Sequence, residues 1–116
     1  MDRRHGGSVH RTKDGHRPEK LVRDRIPQII RDAGRTPETR VAAPGERAAL
    51  LRNKLYEEAG EYVATDDPAE LADLLEVVHA LAALHGLTPE QLEEQRAAKA
   101  TGRGTFSDFL VLRIPD

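Results

Sequence analysis

The acidic residues in the middle of this chain have the spacing of a metal site. Glu57, Glu58 and Glu61 lie close together in the sequence, and a helix that turns about 100° per residue would place them within roughly one third of its circumference. Glu70 and Asp73 are three residues apart, so they would be neighbours on a second helix. If the two helices form an antiparallel hairpin, the two acidic faces oppose each other near the connecting loop.

A cluster of like charges of this kind is stabilised by a cation. Acidic pairs at these spacings each destabilise a helix by a few tenths of a kcal/mol, and two opposing patches add to the repulsion. Carboxylate oxygens without His or Cys suit hard cations, so the pattern predicts Mg²⁺, with Mn²⁺ as a possible substitute. Mg²⁺ commonly keeps water and substrate phosphates as further ligands, which suits phosphoryl or pyrophosphate chemistry.

Structural roles for the same acids remain open at this point. The first three can form a solvated helix face, and Glu70 can be the returning half of a capping box that begins at Asp67. Asp73 fits a structural role less well, because Asp is a poor residue for a helix interior and this one stands among leucines. The spacing alone therefore does not separate a metal site from ordinary surface charge.

The elements that must position these acids are helices. Residues 46–65 are strong helix formers with an apolar stripe at spacings of three and four. Asp67 followed by Pro68 gives an N-cap and a first-turn proline, and Thr88 followed by Pro89 repeats that signal. We therefore predict a short helix between about Pro27 and Gly34 and three longer helices over residues 46–65, 68–85 and 89–100.

The composition agrees with a helical domain. Aromatic residues make up 3% of the chain and hydrophobic residues 38%, so a core has to be built from aliphatic side chains, which favours packed helices over a sheet sandwich. We predict an all-α fold, with short extended segments near residues 39–42 and 105–114. Residues 1–19 contain few apolar side chains and are predicted to be a disordered tail, which leaves residues 20–116 as one domain.

Charge and residue types exclude several classes of function. The formal net charge is −2, with 18 Lys and Arg against 20 Asp and Glu, which predicts neither a nucleic-acid partner nor a membrane partner. The chain has no cysteine, so disulfides, thiolate metal sites and a cysteine nucleophile are excluded. Without a long apolar run, we expect a soluble cytoplasmic protein. A chain this short would also gain stability from dimerisation.

Two motifs resemble those of a known superfamily. The pattern E-E-x-x-E at residues 57–61, followed by E-x-x-D at residues 70–73, resembles the MazG-like all-α nucleoside triphosphate pyrophosphatases. The run KLVRDRIP at residues 20–27 is similar to the K-L-V-R-D-K-I-P opening of a small single-domain branch thought to remove non-standard nucleotides. Three further segments resemble that branch in the same order: residues 54–58, 69–76 and 99–106.

The resemblance implies an activity and a set of site residues. It implies an all-α nucleotide pyrophosphatase fold that uses Mg²⁺ to hydrolyse a nucleoside triphosphate to monophosphate and pyrophosphate, commonly as a homodimer or higher homo-oligomer. The implied metal ligands are Glu58, Glu61, Glu70 and Asp73. Glu57 and Glu58 are the candidate catalytic carboxylates, with Glu57 able to hold the attacking water instead of metal. The candidate phosphate contacts are Arg23, Lys54, Lys99 and Arg103.

Two other functions compete with this interpretation. Phosphoribosyl-ATP pyrophosphohydrolase of histidine biosynthesis shares the K-x-x-E-E-x-x-E pattern that begins at Lys54, although the opening run at residues 20–27 favours the first branch. The chain can also be a helical oligomerisation or regulatory module without catalysis. The presence of all five acids argues against a module that has lost catalysis.

Overall fold

The computed structural model describes residues 18–115. Within that range the chain forms four α-helices, and no strand is present there. The helices are α1 (Ile26–Asp32), α2 (Arg47–Thr65), α3 (Pro68–Leu84) and α4 (Pro89–Arg103), and a 3₁₀ turn over Pro44–Glu46 leads into α2. The predicted all-α class is confirmed for this part of the chain.

A tight connection folds α2 and α3 into a hairpin. Asp66 ends α2 with a left-handed φ of 55°, and its backbone N–H donates to the carbonyl of Tyr62 at 2.7 Å. Asp67 is the N-cap of α3, where its carboxylate accepts a hydrogen bond from the backbone N–H of Ala69 at 3.0 Å. The predicted start of this helix is confirmed. Because only two residues separate the helices, they pack side by side in opposite directions.

The fourth helix runs further than predicted. Thr88 and Gln91 form the capping box at its start: the Thr88 hydroxyl accepts from the Gln91 amide at 3.1 Å, and the Gln91 side chain accepts from the Thr88 amide at 2.9 Å. The helix continues past Ala100 through Gly102 to Arg103, and its C-cap is Gly104, which has a φ of 83°. A glycine inside a helix weakens it by only about 1 kcal/mol, whereas a left-handed φ ends it.

The predicted extended segments do not become strands. Residues 39–42 and 105–114 lie outside regular structure, and a bend and turn interrupt the second segment at residues 106–108. The turn is closed by the backbone N–H of Phe109, which donates to the carbonyl of Phe106 at 3.2 Å. The second segment has a strand-like composition, but a strand needs a neighbouring strand for its backbone hydrogen bonds, and the described residues provide none.

The hydrophobic core of the described residues is small. Its buried apolar side chains are Leu51 on α2 and Val77 and Ala82 on α3. The two helices also carry apolar side chains on their outer surfaces: Tyr56 is 80% exposed and Leu75 is 52% exposed. The hairpin thus buries its inner face and leaves apolar area on its outer faces. No single helix among residues 18–115 is long and apolar enough to cross a bilayer.

An arginine ties the start of the described chain to the start of α2. The first 17 residues of the predicted tail lie outside the described residues, but Glu19 accepts two hydrogen bonds from Arg40, each of 3.1 Å. Arg40 also donates to Glu46 at 2.8 and 2.9 Å. The Glu46 carboxylate further accepts from the backbone N–H of Ala43 at 2.8 Å. These contacts hold the loop that precedes α2.

This link predicts a titration that can be measured. The hydrogen bonds from Arg40, and then that from Ala43, lower the pKa of Glu46 to about 2. Because the pKa of Glu46 is lowered in the folded chain, the ionised carboxylate stabilises the folded state above about pH 4.3. This contribution is lost as the pH falls towards 2. Replacing Arg40 with Ala should raise the pKa of Glu46 towards its ordinary value, as followed by ¹³C NMR of the carboxyl carbon.

The Ala43 amide remains in that variant, so some depression of the Glu46 pKa should persist. Replacing Arg35, an exposed arginine of the same loop region, with Ala is the matched control and should leave the titration unchanged. An unchanged pKa of Glu46 in Arg40→Ala would contradict the assignment of the shift to Arg40.

Candidate metal centre

Three carboxylates from the two helices of the hairpin meet at one point. Glu58 of α2 and Glu70 and Asp73 of α3 each offer an oxygen atom, and these oxygens all lie within 4.8 Å of one another. Glu58 is 1% exposed and Glu70 is 5% exposed, while the Asp73 side chain is 23% exposed. The hairpin therefore converts two stretches of sequence into one largely buried acidic group.

The position of each acid follows from the helix that carries it. Glu70 is the third residue of α3, so the cap at Asp67 fixes where its side chain points. Asp73 lies three residues later, one turn along the same face. Glu58 stands on the buried face of α2, in line with Leu51, which is seven residues earlier and also buried. The inner face of α2 is thus apolar at Leu51 and acidic at Glu58.

The donor set fits a hard divalent cation. Octahedral Mg²⁺ with bonds of about 2.1 Å separates adjacent ligand oxygens by about 3 Å and opposite ones by about 4 Å. The observed limit of 4.8 Å is within a small side-chain adjustment of that geometry. Burying carboxylates near each other is opposed by both desolvation and like-charge repulsion, and an all-oxygen set matches Mg²⁺ or Mn²⁺ better than softer metals.

The other two predicted acids stand beside this group. The group of three does not contain Glu61, which is half-buried and lies one helical turn beyond Glu58. Glu57 is held in ion pairs instead: both of its carboxylate oxygens lie 3.2 Å from the ammonium nitrogen of Lys54. Their predicted roles in metal binding and catalysis thus remain predictions, whereas Glu58, Glu70 and Asp73 are brought together.

Lys54 is the cation of α2 that faces these acids. Its ammonium nitrogen lies 3.5 Å from an oxygen of Glu58, and its side chain is only 13% exposed. The sequence predicted Lys54 as a phosphate contact, and in the structure Lys54 pairs with the neighbouring Glu57 and Glu58. Since it bridges Glu57 and Glu58, Lys54 fixes both side chains on the face of α2 that looks towards α3.

A segment from the start of the described chain covers the acidic group. Lys20 Nζ lies 3.5 Å from Glu57 Oε1, and Arg23 Nη2 donates to Asp73 Oδ1 at 2.8 Å. Sequence reasoning placed Arg23 at phosphate and assigned no role to Lys20. The signal for Lys20 was its place at the first position of the KLVRDRIP run.

A cavity lies between this segment and the hairpin. Its volume is about 530 Å³, which is in the range of sites that bind small molecules. Residues 21–26 form one wall, and the hairpin wall includes Leu51, Lys54, Glu58, Asp73 and Val77. The cavity therefore combines an apolar surface with two of the three clustered carboxylates and with cationic side chains.

The basic pair of α4 lies away from the acidic group in a single chain. The axis of α4 turns by 101° from that of α3, and α4 begins where α3 ends. At about 1.5 Å per residue, Asp73 is about 16 Å from the end of α3, and Lys99 is about 15 Å along α4. Lys99 is thus roughly 20 Å from Asp73, and Arg103 is further away. One chain does not bring Lys99 or Arg103 to the carboxylates.

Comparisons with known proteins give little independent information on this site. No family model matches the chain, and no solved structure matches it. A protein of Mycolicibacterium smegmatis that carries only the name uncharacterized protein is 51% identical over 47 residues, which are 40% of this chain and 48% of that protein. The chain thus spans about half the length of this relative, and the similarity assigns neither a family nor an activity.

Proposed function

We propose that the chain is a Mg²⁺-dependent nucleotide pyrophosphohydrolase of the MazG-like all-α type. The observation that carries the proposal is the meeting of Glu58, Glu70 and Asp73, two of them almost fully buried, at the edge of a cavity of about 530 Å³. The motif resemblance at residues 20–27, 57–61 and 70–73 supports the same activity. The substrate is a nucleoside triphosphate, with non-canonical nucleotides as the preferred class.

The reaction consumes one water molecule and breaks one phosphoanhydride bond. Water attacks one of the two phosphorus atoms that flank the α–β bridging oxygen, the bond to that oxygen breaks, and nucleoside monophosphate and pyrophosphate leave. The water proton passes to a carboxylate and then to solvent. When bound, Mg²⁺ would supply charge neutralisation on the phosphate oxygens and lower the pKa of a coordinated water.

The acids divide between holding the ion and handling the proton. Glu58, Glu70 and Asp73 would hold the ion, and Glu61, one helical turn beyond Glu58 on α2, is the proposed fourth ligand. Glu57 is the proposed proton acceptor, since it lies next to the group without being part of the three oxygens that converge. Its pairing with Lys54 at 3.2 Å orients the carboxylate.

The basic residues bind the triphosphate from two directions. Arg23 and Lys54 line the cavity beside the acids and face the phosphates from the same chain. Lys99 and Arg103 lie roughly 20 Å or more away in the same chain, so their proposed contact with phosphate requires a second copy. A homodimer packed through the apolar outer faces of the hairpin, near Leu75, would provide one.

A panel of nucleotides tests this function directly. Canonical and non-canonical triphosphates and phosphoribosyl-ATP are incubated with the protein and Mg²⁺, and pyrophosphate and orthophosphate are measured separately. We expect pyrophosphate and monophosphate in equal amounts from a triphosphate, loss of activity with EDTA, and recovery with Mn²⁺.

Each alternative outcome identifies a different function. Turnover of phosphoribosyl-ATP alone would favour the histidine-pathway enzyme. Orthophosphate without pyrophosphate would indicate cleavage of a terminal phosphate and would contradict the proposed reaction. Absence of turnover for every nucleotide at high protein concentration would favour a helical regulatory module.

A further inference from the structure

Most of the run KLVRDRIP precedes α1 and lies against the hairpin. Residues 20–26, here called the opening segment, lie across the hairpin at the acidic group. Two cations of this segment contact two of the acids: Lys20 approaches Glu57 to 3.5 Å and Arg23 approaches Asp73 to 2.8 Å. These contacts join positions that are 37 and 50 residues apart, and both cations belong to the same short run.

We propose that Lys20 and Arg23 are exchangeable counter-ions that couple metal binding to triphosphate binding. Without a divalent cation, they neutralise Glu57 and Asp73. When Asp73 binds the cation and Glu57 orients the attacking water, both side chains would transfer to the oxygens of the triphosphate. This inference rests on the proposed function, and it assigns the opening segment to substrate capture.

The exposure of the two cations permits this exchange. The Arg23 side chain is 50% exposed and the Lys20 side chain is 31% exposed. Ion pairs that are this accessible to water are weak, because each charge can be solvated again when the pair separates. Lys54 differs, since its side chain is 13% exposed and pairs within its own helix. We therefore assign the mobile cations to the opening segment and the fixed one to α2.

The chemistry of the two cations suits a polyphosphate chain. The guanidinium of Arg23 can donate two parallel hydrogen bonds to a phosphate, and the ammonium of Lys20 acts as a compact point charge. Arg23 lines the cavity that also contains Asp73, so its guanidinium needs only a rotation of the side chain to face a bound ligand. Departure of Lys20 would leave Lys54 as the cation at Glu57, 3.2 Å from both carboxylate oxygens, and would open the side that Lys20 occupied to a water molecule.

Removal of Arg23 should change the affinities for the cation and for the triphosphate in opposite directions. Arg23 competes with a cation for Asp73, so its removal should strengthen binding of the cation alone. Arg23 also contacts the triphosphate once the cation is in place, so its removal should weaken triphosphate binding. Removal of a residue with only a structural role would weaken binding of both the cation and the triphosphate, because it would disturb the site itself.

The experiment measures Mn²⁺ binding by electron paramagnetic resonance and nucleotide binding by calorimetry, on the full chain. The nucleotide probe is α,β-methylene-ATP at saturating Mn²⁺, which is not cleaved at the position of the proposed attack. In Arg23→Ala we expect Mn²⁺ to bind about threefold tighter or more and the nucleotide about tenfold weaker or more. Lys20→Ala should show the same directions with smaller changes.

Two further variants separate charge from position. Arg23→Lys keeps the charge and should restore part of the nucleotide affinity. Arg31→Ala removes an exposed cation from the last turn of α1 and should change neither constant. Circular dichroism of each variant checks that the helices are retained.

The possible failures have distinct meanings. Parallel weakening of both constants in Arg23→Ala, or no change in either, would overturn the exchange while leaving the metal site of the wild type intact. Absence of Mn²⁺ binding to the wild type would overturn the metal centre and this inference with it.

Discussion

Replacing Asp73 with Asn is expected to lower the rate of pyrophosphate release by about a hundredfold or more. The change keeps the size of the side chain but removes the charge from one of the three oxygens that converge. A metal ion typically supplies several kcal/mol of transition-state stabilisation, and a loss of about 3 kcal/mol corresponds to roughly a hundredfold in rate. The rate is measured as pyrophosphate released at saturating Mg²⁺ and nucleotide.

Two controls make this result specific to the acidic group. Glu94→Gln makes the same type of change on an exposed residue of α4 and should leave the rate within about twofold, as is usual for surface positions. The thermal midpoint of Asp73→Asn without metal should change little, because relief of the repulsion among neighbouring carboxylates offsets loss of the exposed ion pair with Arg23. Full activity of Asp73→Asn with intact helices would remove Asp73 from the proposed site.

Local sequence signals predicted the parts of the fold that depend on neighbouring residues. The start of α3 follows from Asp67 and Pro68, whose capping and fixed φ act within one turn. The start of α4 follows from Thr88 in the same way. Because the connection between α2 and α3 is so short, the hairpin and the approach of Glu58 to Asp73 could be anticipated as well.

The rest of the site depends on contacts that sequence spacing does not contain. Arg23 meets Asp73 across 50 residues, and nothing in the local pattern around residue 23 indicates which helix it will face. The position of Lys99 depends on the 101° turn between α3 and α4, which is set by the way the helices pack. The order of the motifs aligns these residues with those of the resembling branch but does not give the distances between them.

The burial of the acidic group is costly for the stability of the folded chain without a cation. Glu58 and Glu70 are buried on faces that apolar residues would fill at lower cost in desolvation. Binding of a cation to the folded chain alone would offset this cost, because a ligand that prefers the native state stabilises it. We therefore propose a bound cation, rather than the packing of the hairpin, as the reason for the three acids.

The most direct test of this account is Mn²⁺ binding to the wild type and to Glu70→Gln. Glu70 is the decisive residue because a capping role and a metal role predict different results for it. We expect saturable binding by the wild type and an affinity for Mn²⁺ at least about tenfold lower in Glu70→Gln. Mutation of a residue that only supports a metal ligand already commonly lowers metal affinity by about that factor. Glu94→Gln should bind as the wild type does. Wild-type affinity in Glu70→Gln, or no saturable binding by the wild type, would contradict the metal centre.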